Sequence, residues 1–159
     1  MSDGERDCGP CTACCQGWLA SKEPEMSPGS PCLHRSEKGC SIYDERPEKP
    51  CRVFRCGWLA CPDQFPESMR PDLIGTIILH DRPWNGWKTI ALVPAGERVS
   101  EDVLKWMTDY AKERQIPLIW QTREKQGEQF NGGKSFALGS DEFMAAVRWH
   151  IDLDDLWSL

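Results

Sequence analysis

All nine cysteines of this 159-residue chain lie within its first 61 residues, and four of them, Cys8, Cys11, Cys14 and Cys15, crowd into the stretch CGPCTACC. Cys32, Cys40, Cys51, Cys56 and Cys61 complete the set. Thiols this dense serve either as disulfide crosslinks, which need an oxidising compartment, or as metal ligands and redox groups in a reducing one. The opening MSDGERDC is polar and acidic and lacks the apolar segment of a secretory signal. The expected compartment is therefore the cytoplasm. An odd number of cysteines also argues against a closed disulfide framework.

Cys8, Cys11 and Cys14 are spaced three apart. A CxxC turn brings two sulfurs close enough to share one metal ion, and its backbone amides help to stabilise thiolate charge. Two overlapping CxxC units resemble the CxxCxxC run of bacterial ferredoxins, in which three thiolates hold a 4Fe-4S cluster and a fourth arrives from elsewhere. Cys15 or any distant cysteine is a candidate for that fourth place. Neighbouring side chains diverge, so Cys14 and Cys15 are not expected on one ion. PCLHRSEKGC and CRVFRC then present Cys32, Cys40, Cys51 and Cys56 from loops. Four plus four thiolates would make two tetrahedral sites, or one iron-sulfur cluster plus a structural zinc; a single multinuclear site is also open, and spacing does not choose. Cys61 is not needed by the pattern, and a small buried hydrophobe is its equal alternative.

Together, CxxCxxCC at Cys8–Cys15, PC at Pro31 and Cys32, GCSIYDERPEKPCRVF from Gly39 to Phe54, and Cys56 make the chain resemble the bacterial CxxCxxCC cysteine-cluster family, described as chelating zinc or iron. The pattern GCxxYxxRPxxPCRxF mixes many residue types and is far more specific than CxxC alone. The resemblance covers about residues 8–60 and implies metal ligation by Cys8, Cys11, Cys14, Cys15, Cys32, Cys40, Cys51 and Cys56. It implies no reaction. The larger flagellin lysine methylases join a similar motif to methyl transfer and are associated with an iron-sulfur cluster; this chain is far shorter and shows no glycine-rich nucleotide loop after a predicted strand.

Other residues of that pattern have uses near thiolates. Four thiolates on one zinc leave about two negative charges, which Arg46 and Arg52 can offset; salt bridges to Asp44, Glu45 or Glu48 are the equal alternative. Tyr43 and Phe54 read as core aromatics, and Pro47 and Pro50 as restraints on the loop that delivers Cys51. His34 could replace a sulfur, but an exposed loop position is the expectation. His80 and His150 read as structural, the carboxylates of DLDD as a solvated tail and WNGW as a hairpin connection.

Composition changes near residue 70. Nine of the twelve prolines fall at or before Pro71, so residues 1–70 read as a loop-rich cysteine module with short helical turns at Thr12–Leu19 and Tyr43–Glu48. Residues 71–159 read as a small α+β layer packed with it as one compact unit. LIGTIILH (Leu73–His80) and WKTIALVP (Trp87–Pro94) pair as a hairpin across DRPWNG. A helix starts at Ser100, carries Val103, Met107, Tyr110 and Ala111 on one face, and ends by Pro117. PLIWQTR is a third strand, FNGGKSFALG a turn and fourth strand, and SDEFMAAVRWHI a helix capped by Ser140 with Phe143, Val147 and Ile151 on one face. The expected class is α+β: a loop-rich, metal-organised module packed on a small mixed or antiparallel sheet with two helices.

Mean hydropathy of −0.55 and the lack of a long apolar run exclude a spanning helix and point to a soluble protein. The eight tryptophans can supply a core, although Trp58, Trp84, Trp87, Trp106, Trp120, Trp149 and Trp157 could include a partner surface. Neither half has the basic excess that drives nucleic-acid binding: Lys and Arg number 9 against 11 Asp and Glu in residues 1–70, and 10 against 14 in 71–159. The expected function is binding of zinc or iron, with a 4Fe-4S cluster as one form of the iron and with room for a protein partner. Two other classes compete. A redox-responsive module could use Cys14, Cys15 or Cys61 if one is exposed with a depressed pKa. A cluster-dependent enzyme would need a nucleophile and base that cannot be paired from this sequence.

Overall fold

The computed structural model describes residues 6–149 apart from residues 10, 20, 23 and 24 and the side chain of Pro50. The expectations for His150, Ile151, DLDD and Trp157 lie outside the described residues. Two small ladders come first, β1 (Ser21–Lys22) against β2 (Glu25–Met26) and β3 (Arg35–Ser36) against β4 (Gly39–Cys40). Between and after them run 3-10 turns at Cys14–Gln16 and Tyr43–Glu45, an irregular wide turn at Glu48–Arg52, and the single-turn helices α1 (Gly57–Ala60) and α2 (Pro71–Ile74). Frequent prolines remove amide donors and fix φ, which keeps these elements short.

The second half is regular. β5 (Thr76–Trp84), β6 (Trp87–Pro94), α3 (Glu101–Arg114), β7 (Leu118–Gln126), β8 (Gln129–Leu138) and α4 (Asp141–Trp149) follow in the predicted order. The sheet order is β5-β6-β7-β8, with antiparallel β5–β6 and β7–β8 hairpins and a parallel β6–β7 pair. Parallel neighbours need a long crossover, and α3 supplies it. The sheet is therefore mixed, and the class is α+β.

Several boundaries differ from the sequence reading: β5 runs to Trp84, through most of the expected connection DRPWNG, and β7 runs past Arg123 to Gln126. The first strand begins at Thr76 rather than Leu73, because Pro71 opens α2 and Gly75, at φ 64, closes it. The turn of the second hairpin falls at residues 127–128, not at FNGG. Gly132 and Gly133 lie inside β8, where a Cβ at Gly133 would stand 2.6 Å from Thr122 Oγ1. α3 follows expectation: Ser100 Oγ accepts from the Val103 amide, Glu101 and Asp102 stand in the first turn, and Lys112 and Arg114 in the last.

Thr76–Leu79 and Thr89–Pro94 are buried without alternation, as strands covered on both faces must be. One continuous apolar cluster joins the halves, from Leu19, Cys56, Trp58 and Phe65 to Ile78, Leu92, Met107 and Phe143. Within the first half, Arg6 Nη1 donates to the carbonyls of Trp58 and Phe65, each at 2.7 Å. A charged group also reinforces the join. Arg123, buried on β7, donates to the Trp18 carbonyl at 2.7 Å and lies 5.2 Å from that residue's ring centroid. Arg123→Met should therefore lower the unfolding free energy by about 2 kcal/mol in urea titration. A loss below about 0.5 kcal/mol, the range of an ordinary surface change, would show that this link does not hold the two halves together.

Candidate functional site

Cys8, Cys11, Cys14, Cys15, Cys32, Cys40, Cys51 and Cys56 all line one pocket, a partly open cavity of about 90 Å3. Five separate segments deliver them. In CGPCTACC the Cys11 amide donates to the Cys8 carbonyl at 2.8 Å, closing the CxxC turn. The 3-10 turn at Cys14–Gln16 ends on Gly17, whose φ of 86 and close approach to Ser27 leave no room for a Cβ: it would stand 2.0 Å from the Ser27 oxygen. The Cys32 amide donates to the Cys15 carbonyl at 2.7 Å, and the Cys32 carbonyl accepts from Arg35, the strand partner of Cys40. Cys51 follows from the turn after Pro47, and Cys56 is the buried N-cap of α1. Cys61 lies outside this pocket, with Asp81, Arg55 and Asp63 as its charged neighbours.

The other pocket walls correct several expectations. Tyr43 and Phe54 are half-buried and line the pocket rather than the core alone. The Tyr43 hydroxyl hydrogen-bonds with Cys8 and Arg46, and the Arg46 guanidinium sits 3.8 Å from its ring centroid. Arg46 thus faces Cys8, Cys40 and Cys51. Arg52 does neither of the two things expected of it: it donates to the backbone carbonyls of Arg46 and Asp44, bracing the loop. His34 also lines the pocket. His80 stays structural in position, inside β5 beside its bulge, with Nε2 4.0 Å from the Asp81 carboxylate. Trp149 is 86% exposed, whereas Trp58 is 4% exposed. No linear pattern marks Asp72, which α2 places beside Cys11 while Arg70 grips its carboxylate at 2.6 and 3.0 Å. Only the tertiary fold joins residues so far apart in sequence.

Burial raises the pKa values of Cys8, Cys11, Cys14, Cys15, Cys51, Cys56 and Cys61, because it penalises the charged form. Cys14 is pushed well above its ordinary 9.0 by burial and then by Cys56, Cys11, Cys8 and Cys15. Cys15 is pushed up to about 12 by burial, Cys40, Cys32 and Cys51, and Cys56 to about 11, chiefly by burial. Cys61 is raised as well, by burial and Asp81. None of Cys14, Cys15 and Cys61 has the depressed pKa that a reactive redox thiol requires.

Among the described residues, no three His, Cys, Asp or Glu side chains form a group that could hold one metal ion as they lie. The thiols converge on a shared pocket without making a preformed cage. The chemistry of the donor set nevertheless suits a soft metal: eight sulfurs, one cation, and two buried N–H groups, Arg46 Nε and Trp58 Nε1, with no hydrogen-bond partner among the described residues. No family model, curated protein or solved structure matches the chain.

The raised thiols fix the sign of a pH dependence in the metal-free chain. Above pH 9 the unfolded chain releases thiol protons that folded Cys14, Cys15 and Cys56 retain, so the unfolded state binds fewer protons and stability falls. The Tm should hold below pH 9 and decline towards pH 12, less steeply in a Cys15→Ser/Cys56→Ser variant. Equal slopes in the two proteins would contradict enclosure of these thiols.

Proposed function

We propose that this protein binds zinc or iron through the thiolates of Cys8, Cys11, Cys14, Cys15, Cys32, Cys40, Cys51 and Cys56, as in the CxxCxxCC cysteine-cluster family that it resembles. One observation carries the reading: eight of nine cysteines, from five segments, face one pocket whose wall also presents Arg46. A core that wanted only small apolar side chains would have no reason to collect so many thiols, nor to set a guanidinium among them. Chance convergence of eight thiols is a weak competitor.

The residues act by holding and compensating. Cysteine sulfurs supply the ligands, Arg46 offsets their charge, and Tyr43 orients both Arg46 and Cys8. Bound zinc supplies a redox-inert crosslink, and an iron-sulfur cluster supplies electron transfer. Because the thiols are not gathered into a cage as they lie, metal binding has to draw the loops inward, which couples binding to folding. The cytoplasm, where thiols stay reduced, is the proposed compartment. No helix among the described residues is long and apolar enough to cross a membrane.

Protein purified anaerobically without chelator tests the reading by metal and acid-labile sulfide analysis together with an absorption spectrum. Tightly held zinc, or iron and sulfide with broad visible absorption, is the expected result; metal-free protein that takes up neither would end the proposal. Loading metal-free protein at pH 7.5 should also release about four protons per tetrahedral zinc, one for each thiol that becomes a thiolate ligand. Chelation should speed hydrogen exchange in residues 6–60 and leave β5–β8 protected. Unchanged exchange in the first half would separate metal from folding.

A further inference from the structure

Given that reading, on which this inference rests, the number and membership of the metal centres follow from how the thiols are divided. The turn at Cys14–Gln16 is a 3-10 turn, whose three residues per turn send adjacent side chains about a third of a circle apart. Cys14 and Cys15 therefore leave the backbone in different directions. Their surroundings differ accordingly. Cys14 has Cys56, Cys11 and Cys8 as its foremost thiol neighbours, whereas Cys15 has Cys40, Cys32 and Cys51; the two groups meet at Cys8, which lies within electrostatic reach of Cys40.

Packing gives the same division independently. Cys56 belongs to the continuous apolar cluster, and Cys8, Cys11 and Cys14 pack against it. Cys15, Cys32, Cys40 and Cys51 take no part in that cluster. Backbone contacts agree: Cys8 and Cys11 share the CxxC turn, while Cys15 is tied to Cys32 and, through Arg35, to Cys40. We infer that the pocket holds two adjacent four-thiolate centres with separate ligand sets. Cys8, Cys11, Cys14 and Cys56 form the core-side centre, and Cys15, Cys32, Cys40 and Cys51 form the loop-side centre.

Charge explains how two such centres can be neighbours. A divalent ion that replaces four thiol protons with four thiolate bonds leaves a net charge of about −2 at each centre. Arg46 stands within electrostatic reach of Cys8 from one set and of Cys40 and Cys51 from the other. Its buried Nε has no hydrogen-bond partner among the described residues, which leaves a donor for sulfur. Arg46 is thus a positioning and charge-compensating residue shared by both centres.

The full chain loaded with 113Cd2+ under anaerobic conditions tests this without mutation. Two resonances in the all-thiolate range are expected, one correlated with the β-protons of Cys8, Cys11, Cys14 and Cys56 and the other with those of Cys15, Cys32, Cys40 and Cys51. A single resonance, a cysteine coupled to both ions, or correlations that cross the two sets would overturn the division while leaving metal binding intact. Failure to retain any Cd2+ through desalting would remove the metal-binding reading itself. Cys51→Ser and Cys56→Ser should each lose one of two bound ions, and Arg46→Gln should weaken both sites by about tenfold. Weakening of one site alone would contradict the shared role of Arg46.

Discussion

Thiolates repel one another, and eight of them cannot share a pocket without a cation. This constraint governs the first half of the molecule. As thiols, the groups are neutral and tolerate enclosure, which is why burial holds the Cys14, Cys15 and Cys56 pKa values above the ordinary range. As thiolates, they require positive charge among them, and Arg46 provides only one. The metal proposed above would meet that requirement by replacing thiol protons.

The second half meets a different requirement. Its sheet buries β5 and β6 on both faces and has its own helices, so it does not need metal to define its strands. It gives the cysteine loops a rigid surface instead. Cys56 is fixed at the start of α1, whose Gly57 lies so close to the sheet that a Cβ would stand 2.8 Å from Ile78 Cγ2. Arg123 then ties the Trp18 carbonyl to the same body. Anchorage thus falls on the side of Cys56, while short, proline-broken elements carry Cys32, Cys40 and Cys51.

Much of this was legible in the sequence because it depends on local rules. The ββαββα order followed from β-branched runs, the Ser100 cap and the spacing of Val103, Met107 and Tyr110, all of which act within a few residues. The divergence of Cys14 from Cys15 was read from extended backbone, and the structure seats the pair in a 3-10 turn instead. What escaped was set by long-range contact. Gly132 and Gly133 resembled a turn because glycine permits one, yet they serve the close approach of β8 to Thr122. Arg52 carried the right charge for a thiolate companion but turns to carbonyls of its own loop. Tyr43 passed as a core aromatic because nothing in a linear pattern shows that Arg46 stacks on it beside Cys8.

We propose that sulfur alone holds the metal in this pocket. X-ray absorption at the edge of the metal retained by anaerobically purified protein is the decisive test. A first shell made only of sulfur is expected, at about 2.3 Å if the metal is zinc. A shell dominated by nitrogen or oxygen at about 2.0–2.2 Å would contradict it, because the thiols would then be bystanders.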